Sequence, residues 1–451
     1  MIAPLTLLRR VLPAVVAPLL VLALALPAQA EVAFRAITSP GGIKAWMVED
    51  YTVPIVSIGF AFEGGAAQDP DDKIGLASLM SSLFDEGAGD LDSDEFQTRL
   101  DEVGLEMGFS AGFDAFSGFA RMLADERDSA TKLLALAVNK PRFDQSAIDR
   151  MRDQILAGLA ARARDPNYAA GRMWNEALFG NHPYARPQEG TAETLASITA
   201  NDLRQLHQSI FARDTLKIGI VGALDEAAAG ELIDTVFGTL PAAPKLKEIV
   251  AAELSFGEDF AVDYPLPQTS INLAYPGVNE KDPDFFPAFV MTEMLAGGSL
   301  LSELNVEVRE KRGLSYGVSG GLVNLDHADA LTIGTSTRPD QAADAIEVIR
   351  ETLARMAADG PDPAALERTK RYLIGAYPIN QLRSSVAIAS TMVTQQLHGL
   401  PIDHVIEREA SINVVTAEQI QKVAQRIFNA EPSLLIVGPD AKKEETTPPK
   451  E

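Results

Sequence analysis

The hydrophobic pattern of this chain is written twice. Thr199-Ala200-Asn201-Asp202-Leu203 through Ile210-Phe211 is echoed by Thr416-Ala417-Glu418-Gln419-Ile420 through Ile427-Phe428. In each copy a threonine opens a run whose apolar residues recur at helical spacing, which predicts a capped, amphipathic helix. Each helix leads into an apolar strand ending in the same tripeptide, Ile220-Val221-Gly222 and Ile436-Val437-Gly438. Asp149–Ala161 and Leu366–Ile379 form a second matched pair of long helical patterns. A period of roughly 215 residues is too long for a solenoid and implies two homologous domains. The boundaries follow: an N-terminal domain over 31–239, a linker over 240–255, a C-terminal domain over 256–440 and a disordered charged tail over 441–451. The linker contains P-A-A-P-K-L-K-E and little that could form a core.

Inside the first domain, Gly42–Met47 and Pro54–Phe62 read as strands, with Glu63-Gly64-Gly65 closing the second. The run I-G-L-A-S-L-M-S-S-L-F then predicts a buried helix over Ile74–Phe84. In the second domain, Gly297 and Gly298 precede Leu301, Leu304 and Val308 at helical spacing, surrounded by Glu307, Arg309, Glu310, Lys311 and Arg312. Gly313 stops that helix. Leu314, Tyr316 and Val318 alternate as a strand with one buried face. Arg309 therefore falls in the last helical turn and Tyr316 at the start of the next strand. Taken alone, this is a basic helix end that complements the helix dipole, beside a core tyrosine.

Composition narrows the function classes. The chain has 451 residues, 46% of them hydrophobic, and a formal net charge of −24. Such acidity suits a soluble protein and disfavours nucleic-acid binding. There is no cysteine, which removes disulfides, thiol catalysis and thiolate metal sites. Met1–Ala30 reads as an export signal: Arg9 and Arg10, an apolar run from Val11 to Leu26 broken by prolines, then Ala28-Gln29-Ala30. Cleavage is expected before Glu31. No second apolar run is long enough to span a bilayer.

The string from Ala296 to Gly321 resembles the second-domain signature of the pitrilysin/insulinase family of zinc metallopeptidases, in which a glycine pair precedes S-x-L and then V-R-E-K-x-G-L-x-Y. The resemblance extends over nearly all the mature chain, through G-F-A-F-E-G-G-A-A-Q-D-P, H-P-Y, the T-A-x-x-[IL] helices and Pro267-Gln268-Thr269. It implies two tandem α/β domains, α+β in class, each a mostly antiparallel sheet packed on helices, and a clamshell dimer around a chamber. It also implies that Arg309 and Tyr316 hold substrate backbone and the developing oxyanion, a role that suits a cation and a phenol donor. Glu303 stands where many relatives carry arginine, read here as a surface change. The family's inverted metal motif, H-x-x-E-H, aligns with Ser78, Ser81 and Ser82, and its third ligand with Met151 or a close neighbour. Hydroxyls and a thioether at these places neither bind zinc usefully nor act as the base.

No substitute site stands out in the pattern. His182, His207, His327, His398 and His404 include no i, i+4 pair. His182 reads as structural and His207 as a surface or packed residue. Asp85, Glu86, Asp90 and Asp92 read as a solvated acidic loop rather than a cation site. The letters G-x-S-x-G at Gly317–Gly321 lie inside the alternating strand pattern and not at a strand-to-helix turn, so they make no nucleophile elbow, and no phosphate-cradling glycine motif occurs. The resemblance thus implies the zinc-free subunit of a bacterial, periplasmic, two-chain metallopeptidase acting on unfolded peptides. This chain holds no cofactor in that reading. A paralogue with the zinc motif supplies zinc, while Arg309 and Tyr316 act in trans, with Gly297 and Gly298 in a loop near the peptide. The alternatives are a catalytically inert scaffold and a protein that captures peptides without cutting them.

Overall fold

The computed structural model describes residues 34–439, so the expected export signal and charged tail lie outside the described residues. The duplication appears as two mixed, mainly antiparallel sheets. The first has six strands: β1 Arg35–Thr38, β2 Lys44–Glu49, β3 Ile55–Glu63, β4 Glu106–Ala111, β5 Ala115–Leu123 and β6 Lys217–Gly222, in the order β1-β2-β6-β3-β5-β4. The second has five: β7 Asp259–Asp263, β8 Thr269–Pro276, β9 Ser315–Leu325, β10 Ala328–Thr337 and β11 Ser433–Gly438, in the order β7-β11-β8-β10-β9. The two I-V-G strands take equivalent places. β6 runs parallel to β2 and antiparallel to β3, and β11 runs parallel to β7 and antiparallel to β8.

In the first half the helices are α1 Leu76–Ser81, α2 Ser93–Val103, α3 Arg127–Asn139, α4 Gln145–Arg162, α5 Pro166–Phe179, α6 Ala192–Ser197, α7 Ala200–Ile210 and α8 Glu226–Phe237. The second half adds α9 Phe285–Ala296, α10 Ala342–Asp359, α11 Pro363–Gln381, α12 Ser385–Leu397, α13 His404–Asn413 and α14 Ala417–Phe428. The repeated threonines do cap α7 and α14. In each case the threonine hydroxyl accepts from a backbone N–H three residues on, and Asp202 or Gln419 answers the cap's own N–H. One face of each sheet carries its own helices and a continuous apolar core, with Phe60, Phe62 and Phe116 in the first and Ile271, Leu273 and Ile333 in the second.

The other face of each sheet is covered by a helix from the opposite half. Helix α12 lies across β3 and β6, and α5 packs on β8 and β11. This explains why β3 (I-V-S-I-G-F-A-F-E) is buried on both faces and is apolar almost throughout. The approach of α12 is close enough to require glycine beneath it. A Cβ on Gly219 would sit 2.5 Å from the Ala389 carbonyl oxygen, and one on Gly59 would sit 3.2 Å from the Ala389 carbonyl carbon. Gln396 Nε2 donates to the Ile218 carbonyl (2.8 Å), and the Ser57 and Ser385 hydroxyls are 2.8 Å apart.

Two expectations change. Residues 240–255 have no regular structure, yet they are not a free connector. Ile249, Ala252 and Leu254 pack on a third apolar cluster built around Trp174 and Tyr184. Gln68 Oε1 accepts from the Lys247 backbone N–H at 2.7 Å, and Ala252 N–H donates to the His327 carbonyl at 2.8 Å. The helix expected over Ile74–Phe84 is confined to Leu76–Ser81. It starts late because Gly75 adopts a positive φ of 95° and the buried Asp69 carboxylate accepts from Gly75 N–H and Ala77 N–H at 2.9 and 3.0 Å. Burial pushes the Asp69 pKa up to about 7, against the pull of those backbone donors.

Candidate functional site

Residues 297–321 form the most unusual stretch of backbone. A regular α-helix was expected after Gly298; instead the chain turns and then makes a π-helical turn over Asn305–Glu310. Lys311 N–H reaches back five residues to the Val306 carbonyl at 2.9 Å. Leu304 and Val308 are buried as their spacing predicts, but Leu301 is 79% exposed, because the irregular turn rotates it off the core face. Gly313, at φ 62°, ends the turn, and β9 begins at Ser315.

One residue holds these pieces together. Asn305, 4% exposed, donates through Nδ2 to the Ser302 hydroxyl (2.9 Å) and the Val318 carbonyl (3.0 Å), and its Oδ1 accepts from Val318 N–H (2.9 Å). Every strong polar demand of this buried amide is met, so the π turn and β9 are fixed to one another. Sequence reasoning missed Asn305. The available signal was an amide placed between two core positions, Leu304 and Val308, where no helix end required one.

Arg309 lies on the π turn and Tyr316 near the start of β9, and both are exposed, Tyr316 to 87%. Tyr316 is therefore not a core tyrosine. It keeps the parity of the buried Leu314 and Val318 but stands on the edge strand of the sheet. Among the described residues, neither the Arg309 guanidinium nor the Tyr316 hydroxyl has a partner. The neighbouring charges are used internally. Glu307 takes Lys311 at 2.8 Å, Arg312 at 2.6 Å and Arg355 at 3.6 Å, and the first two hold its pKa below the usual range. Glu303 is not a surface residue: it is half-buried, and desolvation raises its pKa despite the attraction of Arg355. Gly297 ends α9, where a side chain would run into the Glu293 carboxylate and backbone, whereas a Cβ on Gly298 meets nothing within 4 Å.

The aligned metal positions do not form a metal site. Helix α1 packs on α4, which carries the partly buried Met151. The Ser81 hydroxyl donates to the Ser78 carbonyl and the Ser82 hydroxyl to the Leu79 carbonyl, both at 2.8 Å. The Ser81 and Ser82 hydroxyls thus close on their own helix, and no hydrogen bond from a carboxylate or imidazole reaches these serines among the described residues, so the donor set does not fit zinc. Among the described residues no group of three or more His, Cys, Asp or Glu could hold a metal.

The remaining candidates are structural. His182 Nδ1 accepts from Tyr184 N–H (3.2 Å), and its Nε2 is 3.0 Å from the Val250 carbonyl. His207 is packed rather than exposed, with Nε2 2.8 Å from the Val138 carbonyl, and burial lowers its pKa. In the acidic loop, Glu86 pairs with Arg150 and accepts from Ser93, while Asp92 caps α2.

The chain is similar to known proteins along both of its halves. Residues 45–192 match the family profile described as "Insulinase (Peptidase family M16)", and residues 197–373 match "Peptidase M16 inactive domain". A crystal structure of a peptidase M16 inactive domain from Pseudomonas fluorescens superposes with a TM-score of 0.84 at 27% identity, covering 90% of this chain and 98% of that one. An uncharacterized zinc protease of Mycobacterium leprae is 26% identical over 417 residues, 90% of this chain and 92% of its own length. A protein of Helicobacter pylori described as a non-peptidase homolog is 23% identical over 386 residues, 84% of this chain and 86% of its own.

Proposed function

The chain belongs to the M16 insulinase family, and we propose that it is the zinc-free subunit of an exported, two-chain metallopeptidase that cuts unfolded peptides. The observation that carries this reading is the pair of free groups, the Arg309 guanidinium and the Tyr316 hydroxyl, held on elements that Asn305 locks together. A cation and a phenol that meet only solvent, on backbone that Asn305 fixes, are suited to meet charge brought by something else. In this reading the zinc and its general base reside in a paralogous partner that carries the metal motif. Arg309 and Tyr316 hold the substrate backbone and stabilise the oxyanion, and Gly297 and Gly298 line the approach of the peptide. Export places the pair in the periplasm.

A second reading, an inert scaffold or a peptide-binding protein of the same fold, is favoured by the words "inactive" and "non-peptidase" in the descriptions of its relatives. Peptidase assays separate the two. The purified chain with zinc is expected to be inactive, and mixing it with a family member bearing an intact H-x-x-E-H is expected to raise cleavage above that of the partner alone. A mixture no faster than the partner by itself would transfer the case to the scaffold reading.

A further inference from the structure

Helix α12 covers only part of the first sheet. It lies on β3 and β6, and past its C-terminal end it leaves a hollow of about 780 Å³ over β2. Strand parity decides what this hollow contains. Ala45 and Met47 of β2 and Ile218 and Ile220 of β6 enter the first core. Lys44, Trp46 and Lys217 therefore stand on the opposite face, and all three line the hollow. The parallel register pairs Trp46 with Gly219; continued two residues back along both strands, it sets Lys44 beside Lys217, where like charges repel. Lys217 has Glu63 at 3.2 Å, but Lys44 has no partner among the described residues. Arg213 adds a third cation to the lining. Its Nε is buried without an acceptor, and no carboxylate pairs with its guanidinium among the described residues. A further ammonium stands close by, since a Cβ on Gly399, another lining residue, would lie 3.4 Å from Lys281 Nζ. The one carboxylate in the lining, Asp214, is exposed and bonds none of these cations. Buried donors are ordinarily satisfied, and a chain of net charge −24 has carboxylates in excess, yet here the cations are left without them.

We propose that this hollow binds a phosphorylated small molecule that carries a flat ring and is of nucleotide size. Lysine ammoniums and an arginine fork are the groups that hold phosphate oxygens, and the half-buried Trp46 indole offers the surface on which a ring stacks. The volume lies in the range of small-molecule sites, which favour the junctions between domains. Lys44, Trp46, Arg213 and Lys217 come from the first half of the chain, whereas Gln396, Gly399 and Leu400 come from the second. A bound ligand thus straps the halves together and raises the thermal midpoint. The inference requires no zinc, peptide or partner subunit, so it and the proposed function can each fail alone.

The test is titration calorimetry on the exported chain. The probe is metal-free adenosine triphosphate, set against inorganic tripolyphosphate and adenosine. The expected result is saturable binding of the nucleotide that weakens as salt is added, with each fragment bound at least about tenfold more weakly. Lys44→Gln and Arg213→Gln are each expected to weaken nucleotide binding about tenfold or more, the worth of one charge-assisted hydrogen bond. Lys44 is exposed, so its variant reports even where Arg213→Gln impairs folding. Trp46→Leu should bring the nucleotide down to the affinity of tripolyphosphate and leave tripolyphosphate itself unchanged. Asp214→Asn removes the one opposing charge and should tighten binding about two- to fivefold. Lys422→Gln, exposed on α14, should change nothing. Absence of saturable binding, equal affinity for nucleotide and tripolyphosphate, undiminished binding to Lys44→Gln, or an equal loss at Lys422→Gln would overturn the proposal.

Discussion

Arginine without a carboxylate is an unexpected finding in a chain with 63 acidic and 39 basic residues. At Arg309 the reason is local. Glu307 draws Lys311, Arg312 and Arg355 to itself, and the irregular turn carries Arg309 to the surface, away from that knot. The opposite arrangement holds at His398, the C-cap of α12, whose Nδ1 lies 2.5 Å from Glu280 Oε2. The hydrogen bond to Glu280 raises the histidine pKa, helped by Asp326 and opposed by burial and Lys281. A folded-state pKa above the unfolded one gives stability that is complete at acidic pH and disappears as pH rises through the raised value. Denaturant titrations of wild type and Glu280→Gln should therefore differ by about 1 kcal/mol near pH 5.5 and converge toward pH 9. A gap independent of pH would mean that the pair acts through packing alone.

At the scale of elements, the exchange of α5 and α12 ties the two halves into one structure. Because α12 lies directly on Gly59 and Gly219, Gly219→Val is expected to destabilise the protein by at least about 2 kcal/mol in chemical unfolding. Gly298→Ala, in open space, is expected to stay within about 0.5 kcal/mol of wild type. Equal effects at the two sites would contradict the close-approach account. The exchange also shows which features sequence could carry. Threonine caps, I-V-G strands and the paired long helices depend on residues near one another in the chain, and their patterns were readable. The π turn was not, because Leu301, Leu304 and Val308 satisfy α-helical spacing equally well. Neither was the packing of Ile249, Ala252 and Leu254 in the linker, since the surface that receives them comes from Trp174 and Tyr184, far away in sequence. At Ser78, Ser81, Ser82 and Met151 the residue types alone set the expectation that zinc is not bound there, because donor chemistry is a matter of residue type.

For the whole molecule, the fold carries duplicated sheets and crossed helices, while the Ser81 and Ser82 hydroxyls close onto their own helix backbone. What faces outward is a guanidinium and a phenol, Arg309 and Tyr316, neither with a partner among the described residues. In the proposed function these two groups hold the peptide and stabilise negative charge, while the partner activates water. The most direct measurement is steady-state cleavage by this chain mixed with a zinc-motif partner, comparing wild type, Arg309→Ala and Tyr316→Phe, with complex formation followed in parallel. The account predicts unchanged assembly, and a fall in kcat of about two to three powers of ten for Arg309→Ala that outweighs any rise in KM. Tyr316→Phe should fall in the same direction. Full activity in both variants, with the complex intact, would contradict it.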